Sequence, residues 1–321
     1  MGALSLASPV PAEPLRAVSL FAGIGSFDLA ARSAGICVTS AVEIDAACRG
    51  VLAHHWPELE LFEDVREVTA DDLGAADIVL AGWPCQDVSK AGRRAGLVGE
   101  RTGLYSEVVR LVGELLPSWI VLENVPGLLT SGGGNDMYQV VAPLAARGYS
   151  VAWRVADAAC FGLPQRRPRL WVVASRGGVG AEQVLPDPHR CPRAAEARQA
   201  ARQENYAWPT LGAEPFGLRA TEPHIAGPLG CNAKGGHRID LDTAGAYVVD
   251  GRGVRRLMPV EYERLMGLPD DWTRYDAGGR EQSDTARYRQ VGNSLPVPVA
   301  SWVLAGVAHA HPRHGADVPG R

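Results

Sequence analysis

Short apolar runs alternate with amphipathic segments along the first half of the chain. The short runs predict β-strands, and the segments between them carry the apolar periodicity of helices. The predicted strands lie at 17–23, 38–45, 78–81, 119–125, 150–158 and 169–176. The predicted helices lie at 26–35, 46–56, 105–116 and 136–147. Strands that alternate with helices indicate βαβ units, so the pattern predicts an α/β fold with a mostly parallel sheet and helices on both faces.

The alternating pattern stops between Gly177 and about Gly253. Helix signals are weak there, and prolines recur at positions 186, 188, 192, 209, 215, 223 and 228. Periodic apolar patterns return at 255–272 and 288–310. A long irregular stretch inside a regular fold is typical of an insertion with its own task. We therefore predict a smaller, loop-rich unit inserted into one α/β domain.

Composition narrows the class of protein. Of the 321 residues, 46% are hydrophobic and 21% are charged, which is typical of a globular chain with a full apolar core. The formal net charge of −4 gives no support to a nucleic-acid binder that is basic all round, although a local basic face stays open. The six cysteines show neither a disulfide framework nor the spacing of zinc ligands, so we expect a reducing compartment and no bound metal.

The two ends of the chain show no regular pattern. Residues 1–16 lack a basic segment followed by an apolar one, so they match neither a signal peptide nor a membrane span. We predict flexible tails at 1–16 and 311–321. The expected location is the cytoplasm, with no membrane partner.

A glycine turn and two carboxylates suggest a ligand site near the first strands. The first strand runs through Gly23-x-Gly25 into a helix, where backbone N–H groups suit the polar end of a ligand. Asp28 occupies the place of the third glycine in the dinucleotide pattern GxGxxG, so a plain tight turn explains the segment equally well. Glu43 ends the second strand and suits the hydroxyls of a ribose, or serves as a charge at a helix start. Asp64, at the tip of a third strand, is either a ligand contact or a solvated turn residue.

Three further motifs put reactive groups at strand ends. Cys85 follows a proline just after an apolar strand, and Glu123-Asn124 ends another. The carboxyl ends of parallel strands line the ligand crevice, so Cys85 and Glu123 are predicted to face one cleft. Arg167-x-Arg169 precedes a strand, and this alternation places both guanidinium groups on one face, unless the segment is a solvated basic loop.

Taken together, these segments resemble the cytosine-C5 DNA methyltransferase family. The matching segments are LFAGIGSF, VEID, GWPCQDVS, LYSEVVRLV, LENVPG, QRRPR, RRLMPVEYERLMGLPDDW and VGNSLPVPVA. The resemblance implies a Rossmann-like, S-adenosylmethionine-dependent catalytic domain at 17–175 and 255–310, whose last helix folds back beside the first strand. It also implies a small target-recognition domain at 176–254. The DNA sequence recognised is not predicted.

The resemblance implies covalent catalysis on a cytosine rotated out of duplex DNA. The thiolate of Cys85 would add to C6, and Glu123 would contact N3 and the exocyclic amine. Arg167 would hold the carbonyl oxygen of the base and help to orient Glu123, with Arg169 as a further cation nearby. Pro84 would help to wall the pocket. The methyl group would pass to C5 and leave S-adenosyl-L-homocysteine.

The resemblance also implies a cofactor site. Its expected residues are Phe21, Gly23, Ile24, Gly25, Glu43, Ile44, Asp64, Val65, Pro84, Leu104, Asn293 and Ser294. Phe21 would lie against the adenine ring, Glu43 would bind the ribose, and Asp64 would accept from the adenine amine. The chain departs from the usual family residues at Ser19, Ser26, Trp83, Pro168, Met258 and Met266. Ser19, for example, stands where the family usually has an aspartate.

The implied partner is double-stranded DNA. A cognate restriction endonuclease is a candidate partner, and we expect a monomer in the cytoplasm, at the nucleoid of a prokaryotic or phage-infected cell. Two alternatives stay open: an RNA cytosine-C5 methyltransferase and a DNA-binding relative without activity. A nicotinamide dehydrogenase would explain the glycine turn but neither Cys85 nor Glu123.

Overall fold

The computed structural model describes most of the predicted α/β domain. The described residues are 13–84, 103–177, 180–186, 214–215, 247–250 and 253–312. Their strands are β1 (Arg16–Leu20), β2 (Cys37–Val42), β3 (Glu60–Phe62), β4 (Ile78–Ala81), β5 (Trp119–Asn124), β6 (Ser150–Asp157), β7 (Pro168–Ser175), β8 (Glu214–Pro215), β9 (Tyr247–Asp250) and β10 (Gly253–Arg256). Their helices are α1 (Ser26–Ser33), α2 (Ala46–His55), α3 (Ala70–Leu73), α4 (Gly103–Leu115), α5 (Asn135–Ala145), α6 (Pro259–Met266), α7 (Asp284–Asn293) and α8 (Val297–Ala310).

The larger sheet has seven strands in the order β3-β2-β1-β4-β5-β7-β6. Strands β1 to β5 pair in parallel, which confirms the mostly parallel sheet. β7 is antiparallel to both of its neighbours. Within the β6–β7 connection the helical element is a single 3-10 turn, Ala158–Phe161, rather than a crossover helix. Antiparallel strands need no crossover, so the short connection accounts for the reversed strand.

Helices cover both faces of this sheet. In β4 every residue is buried, as expected for a central parallel strand. Ile78 and Leu80 belong to the core that includes residues of α1 and α8, whereas Val79 and Ala81 belong to the core that includes residues of α4 and α5. The alternation of side chains along one strand therefore feeds two separate apolar cores. The α/β architecture is confirmed.

The last helix returns to the first β-α unit. α8 packs against α1, and the hydroxyl groups of Ser33 and Ser301 are 3.1 Å apart. Most of α8 is apolar and buried, including Trp302. Within the described part of the chain, no single helix is long and apolar enough to cross a membrane, and the one bent pair that qualifies by length and composition is α7 with α8.

The second sheet is small and antiparallel. Its strands lie in the order β10-β9-β8, mostly inside the interval predicted as the target-recognition domain. The rest of that interval lies outside the described residues, except for 176–177 and 180–186. Ala181, Val184 and Leu185 are buried in the large core, and Nε of Arg154 donates to the carbonyl oxygen of Leu185 at 2.9 Å. The large core therefore extends beyond the predicted boundary at 175. The domain limits and the tails stay predictions.

A carboxylate is buried between β1 and α1. Oγ of Ser19 donates to Oδ2 of Asp28 at 3.1 Å, and both residues are at most 2% exposed. Oδ1 of Asp28 has no hydrogen-bond partner among the described residues. Burial raises the pKa of Asp28 to about 6, against the opposing effect of the Ser19 hydrogen bond. The family usually has an aspartate at position 19, on the strand. In this chain the carboxylate beside that position belongs to Asp28, on α1.

Replacing Asp28 by asparagine removes this charge and largely keeps the shape of the side chain. The folded pKa of about 6 lies above the unfolded value of 3.8, so the folded chain binds the extra proton between these pH values. Stability therefore falls as the pH rises from about 4 to about 6, by an amount on the order of 3 kcal/mol. We expect Asp28→Asn to lose this decline and to be more stable than the wild type at about pH 8.

Urea unfolding measured across this pH range tests the expectation. Asp71→Asn is a matched control, because Asp71 is an exposed aspartate in α3. The control should keep the wild-type decline. Parallel curves of unfolding free energy against pH for Asp28→Asn and the wild type would contradict a titrating carboxyl at this position.

Candidate active site

The ends of β4 and β5 are tied together at the carboxyl edge of the sheet. Nδ2 of Asn124 donates to the carbonyl oxygen of Trp83 at 3.2 Å, and its Oδ1 accepts from the amide of Val125 at 2.8 Å. A Cβ placed on Gly82 would lie 3.6 Å from Oε2 of Glu123. The carboxylate of Glu123 therefore sits directly beside the backbone that leads into the proline-cysteine motif.

The predicted nucleophile, Cys85, lies outside the described residues. The first described segment, 13–84, ends one residue before it, at the half-buried Pro84. Trp83 is 3% exposed, and its ring lies 5.0 Å from that of Tyr105 in α4. The bulky Trp83, a departure from the family's usual phenylalanine, thus anchors the start of the motif in the core.

Glu123 forms an ion pair with Arg169. Nε of Arg169 is 3.0 Å from Oε1 of Glu123, and the two side chains are 16% and 14% exposed. Burial raises the pKa of Glu123, and the positive charges of Arg169 and Arg167 oppose that rise. The carboxyl group therefore takes up a proton more readily than an ordinary glutamate while it stays fixed in direction.

Arg167 holds a different part of the site. It is 2% exposed, and Nη2 of its guanidinium donates to the carbonyl oxygens of Gly292 and Ser294 at 2.8 and 2.7 Å. Its amide donates to Oδ1 of Asp157 at 2.9 Å. Arg167 thus joins the start of β7 to the end of α7. Arg169, expected as a further cation nearby, forms the ion pair with Glu123. The expected contact of Arg167 with the base stays a prediction.

The glycine turn after β1 is open on one side and held on the other. Gly23 has φ +58°, and nothing lies within 4 Å of the place where its Cβ would be. Oε2 of Glu43 accepts from the amide of Gly23 at 2.7 Å, and Oε1 accepts from the amide of Asp45 at 2.8 Å. Each carboxylate oxygen keeps a second lone pair. This pair of acceptors fits a ligand that approaches the turn closely and donates from two hydroxyl groups to Glu43.

Further cofactor candidates follow the ends of β1, β2 and β3. Phe21 has φ 55° and is half-buried, whereas Ile44, next to Glu43, is 62% exposed. Asp64 is paired with Arg66, whose guanidinium holds the pKa of Asp64 below its usual value. Val65 is buried. An exposed apolar side chain beside fixed carboxylates fits an aromatic ring with a polar edge, although Asp64 already has a cation partner.

The remaining cofactor candidates lie on other elements. Leu104 is half-buried at the start of α4 and packs, with Phe21, against the same core. Asn293 is exposed at the end of α7, and Oγ of Ser294 donates to the carbonyl oxygen of Val291 at 2.8 Å. Through the hydrogen bonds from Arg167, this end of α7 lies beside the start of β7.

Sequence reasoning missed Trp272. Its indole Nε1 donates to the carbonyl oxygen of Ile24 in the glycine turn at 2.8 Å. Trp272 belongs to a segment that resembles the family, but no local pattern connects it with a turn 248 positions away. Among the described residues, no group of three or more metal-ligating side chains is brought together.

Comparison with known proteins agrees with this geometry. Residues 15–206 and 198–308 match the model of the C-5 cytosine-specific DNA methylases. The chain belongs to this family. The match confirms the predicted family and the enzyme class, a DNA cytosine methyltransferase that depends on S-adenosylmethionine.

Individual relatives of this C-5 cytosine-specific DNA methylase are type II methyltransferases. M2.BsuMI of Bacillus subtilis strain 168 is 32% identical over 300 residues, which cover 90% of this chain and 74% of the relative. M.BsuFI of Bacillus subtilis is 30% identical over 304 residues, which cover 90% and 71%. The crystal structure of the S. pombe Dnmt2 methyltransferase superposes with a TM-score of 0.64 at 18% identity, covering 91% of this chain and 97% of that one. At this identity, it supports the fold alone.

The buried hydrogen bonds of Arg167 predict a large structural effect. Arg167→Gln should lower the free energy of unfolding by roughly 2–5 kcal/mol, because the carbonyl oxygens of Gly292 and Ser294 would lose a charged donor. The neighbouring Arg166 is exposed. Arg166→Gln should therefore change stability by less than about 0.5 kcal/mol. Denaturant titration measures the free energy of unfolding of both variants. An equal decrease in both would contradict the structural role of the buried Arg167.

Proposed function

We propose that this DNA methyltransferase acts on C5 of a cytosine turned out of duplex DNA, through a covalent bond from Cys85 to C6. One observation carries the proposal. Glu123 is held by Arg169 at the end of β5, beside Gly82, and Cys85 follows Gly82 by three positions. A fixed, easily protonated carboxyl group thus lies beside the residues that lead to Cys85.

The chemistry requires a carboxyl group of this kind. C5 of cytosine is too weak a nucleophile to take a methyl group unaided, and covalent catalysis divides the reaction into two easier steps. As sulfur bonds to C6, the electron pair of the C5–C6 double bond moves towards C5 and the ring, and a proton from Glu123 to N3 neutralises the ring. After methyl transfer, N3 returns its proton to Glu123. Water takes the C5 proton, the electron pair of that C–H bond restores the C5–C6 double bond, and the sulfur of Cys85 leaves as the thiolate.

The two oxygens of Glu123 have different neighbours. Oε1 lies against Nε of Arg169, whereas Oε2 lies nearest to Gly82. We assign Oε2 to N3 and the exocyclic amine of the base, and Arg169 to the orientation of the carboxylate. Pro84 walls the pocket that receives the flipped base. Arg167 acts by holding the end of α7 in place.

Residues around the glycine turn fit S-adenosylmethionine, which supplies an electrophilic methyl group on a sulfonium. We assign Glu43 to the ribose hydroxyls and the exposed Ile44 to one face of the adenine, with Phe21 opposite. Gly23 and its neighbours Ile24 and Gly25 would meet the methionine part. A second set completes the proposed site: Asp64, Val65, Pro84, Leu104, Asn293 and Ser294.

Membership of the family also supports a proposal for the cellular setting. Double-stranded DNA is the substrate, and the interval 176–254 is the proposed recognition domain. The type II relatives favour a restriction–modification system with a cognate endonuclease. We propose a monomer that works in the cytoplasm at the nucleoid.

Bisulfite sequencing of DNA from cells that express the protein tests this function. Wild-type protein should protect cytosines within one short sequence, whereas Cys85→Ser should protect none and still bind the same duplex. Protected cytosines in RNA, with none in DNA, would favour an RNA methyltransferase instead. Full protection by Cys85→Ser would contradict the proposal that Cys85 is the nucleophile.

The role of Glu123 predicts a loss of turnover. Glu123→Gln keeps the size of the side chain but cannot give a proton to N3, so kcat should fall by about 10²- to 10⁴-fold. Glu58→Gln, at an exposed glutamate after α2, should leave kcat within about twofold. Transfer of a labelled methyl group to duplex DNA measures both variants. Equal kcat values for Glu123→Gln and the wild type would contradict the mechanism.

A further inference from the structure

Trp272, in the loop between α6 and α7, reaches the glycine turn after β1. Its indole N–H donates to the carbonyl oxygen of Ile24 at 2.8 Å. Trp272 is 6% exposed and Ile24 is 1% exposed, so water does not compete for this hydrogen bond. The bond therefore fixes the plane of the peptide group between Ile24 and Gly25.

Aromatic rings hold the indole of Trp272 in position. His55 stacks on it with ring centroids 3.6 Å apart and 7° between the planes, and Nε2 of His55 lies 2.8 Å from the carbonyl oxygen of Trp272. Trp56 meets the indole edge-on at 5.5 Å. The ring of Trp56 also fills the space beside Gly25, where an added Cβ would overlap it. These rings enclose the Ile24–Gly25 side of the turn.

A buried ion pair anchors both neighbours of Trp272. Nη2 of Arg287 is 2.9 Å from Oε1 of Glu263 and 3.2 Å from Oδ1 of Asp271. The amide of Thr273 donates to the same Glu263 oxygen at 2.9 Å. The side chains of Arg287 and Glu263 are 8% and 0% exposed. The backbone that carries Trp272 is therefore held on both sides by hydrogen bonds to charged groups, most of them buried.

The other side of the turn belongs to the proposed cofactor site. Glu43 accepts from the amide of Gly23, and the space above Gly23 is open. Within this short turn, Ile24 is held by Trp272, which lies far along the sequence. The space beside the preceding residue, Gly23, is open. A clamp at this point determines where the amide groups of the turn face.

We propose that Trp272 is a positioning residue for the cofactor, because its indole N–H holds the Gly23–Gly25 turn in the shape that binds S-adenosylmethionine. The inference rests on the proposed function and adds a residue to its cofactor site. Trp272 acts through Ile24 and need not touch the cofactor itself.

Trp272→Phe tests the hydrogen bond while it keeps a flat ring against His55. The carbonyl oxygen of Ile24 loses its donor, so we expect the Kd for S-adenosylhomocysteine to rise about 5- to 20-fold. The KM for S-adenosylmethionine should rise in parallel, whereas kcat and the KM for DNA should stay within about twofold. Isothermal titration calorimetry and steady-state kinetics measure these quantities.

Trp302→Phe is the matched control. Trp302 lies in α8 and is 2% exposed, and its indole N–H has no hydrogen-bond partner among the described residues. This variant removes the same atoms from the interior but no donor from the turn, so its Kd should equal that of the wild type. An unchanged Kd in Trp272→Phe, or an equal rise in both variants, would overturn the inference.

A measurement on the unsubstituted protein covers the case in which Trp272→Phe does not fold. In protein labelled with ¹⁵N-tryptophan, the Trp272 indole signal is identified by its ring-current shift in His55→Leu. Adding S-adenosylhomocysteine should slow its exchange with water by about tenfold or more, because the ligand closes the turn. No slowing in protein that binds the ligand would overturn the inference. A wild type that binds no S-adenosylhomocysteine would instead contradict the proposed function.

Discussion

The candidate active site depends on one reversal of chain direction. β7 runs antiparallel to β5, in a register that sets Glu123 opposite Trp171 and Asn124 opposite Leu170. The first residues of β7 therefore lie beside the last residues of β5, where Arg169 reaches Glu123. In a parallel β7, Arg169 would lie near the other end of the strands, roughly 15 Å from the carboxylate. The ion pair follows from strand direction and not from proximity in sequence.

Three buried or half-buried carboxylates near this edge have different partners, and the partners decide what each can do. Glu123 has the cation of Arg169, so it stays fixed although burial raises its pKa. Glu43 has two backbone N–H donors and keeps lone pairs for a ligand. Asp28 accepts from the hydroxyl of Ser19 and has no cation partner among the described residues, and its pKa rises to about 6. Burial alone would raise the pKa of all three carboxyl groups. The hydrogen-bond donors and cations around each group therefore determine how the three differ.

Sequence analysis predicted what depends on local pattern. The order of strands and helices, with Glu43 just after β2 and Glu123 near the end of β5, follows from apolar periodicity and from the polar residues that end each run. The direction of β7 does not, because the pattern of a buried strand is the same in either direction. The ion pair between Arg169 and Glu123 could therefore not be predicted from the motif. Both arginines belong to the motif and oppose the rise in the pKa of Glu123, and the register brings Nε of Arg169 within 3.0 Å of it.

The contacts that complete the proposed site join residues far apart in sequence. Arg167 reaches Gly292 and Ser294, and Trp272 reaches Ile24, so both halves of the proposed site need the residues that follow the predicted recognition domain. The closure entropy of a flexible loop grows slowly, by only about 0.6 kcal/mol for each doubling of its length. The interval between β7 and α6 can therefore change in length at little cost to the catalytic domain. A recognition unit placed there is free to vary while α7 and α8 still close the same site.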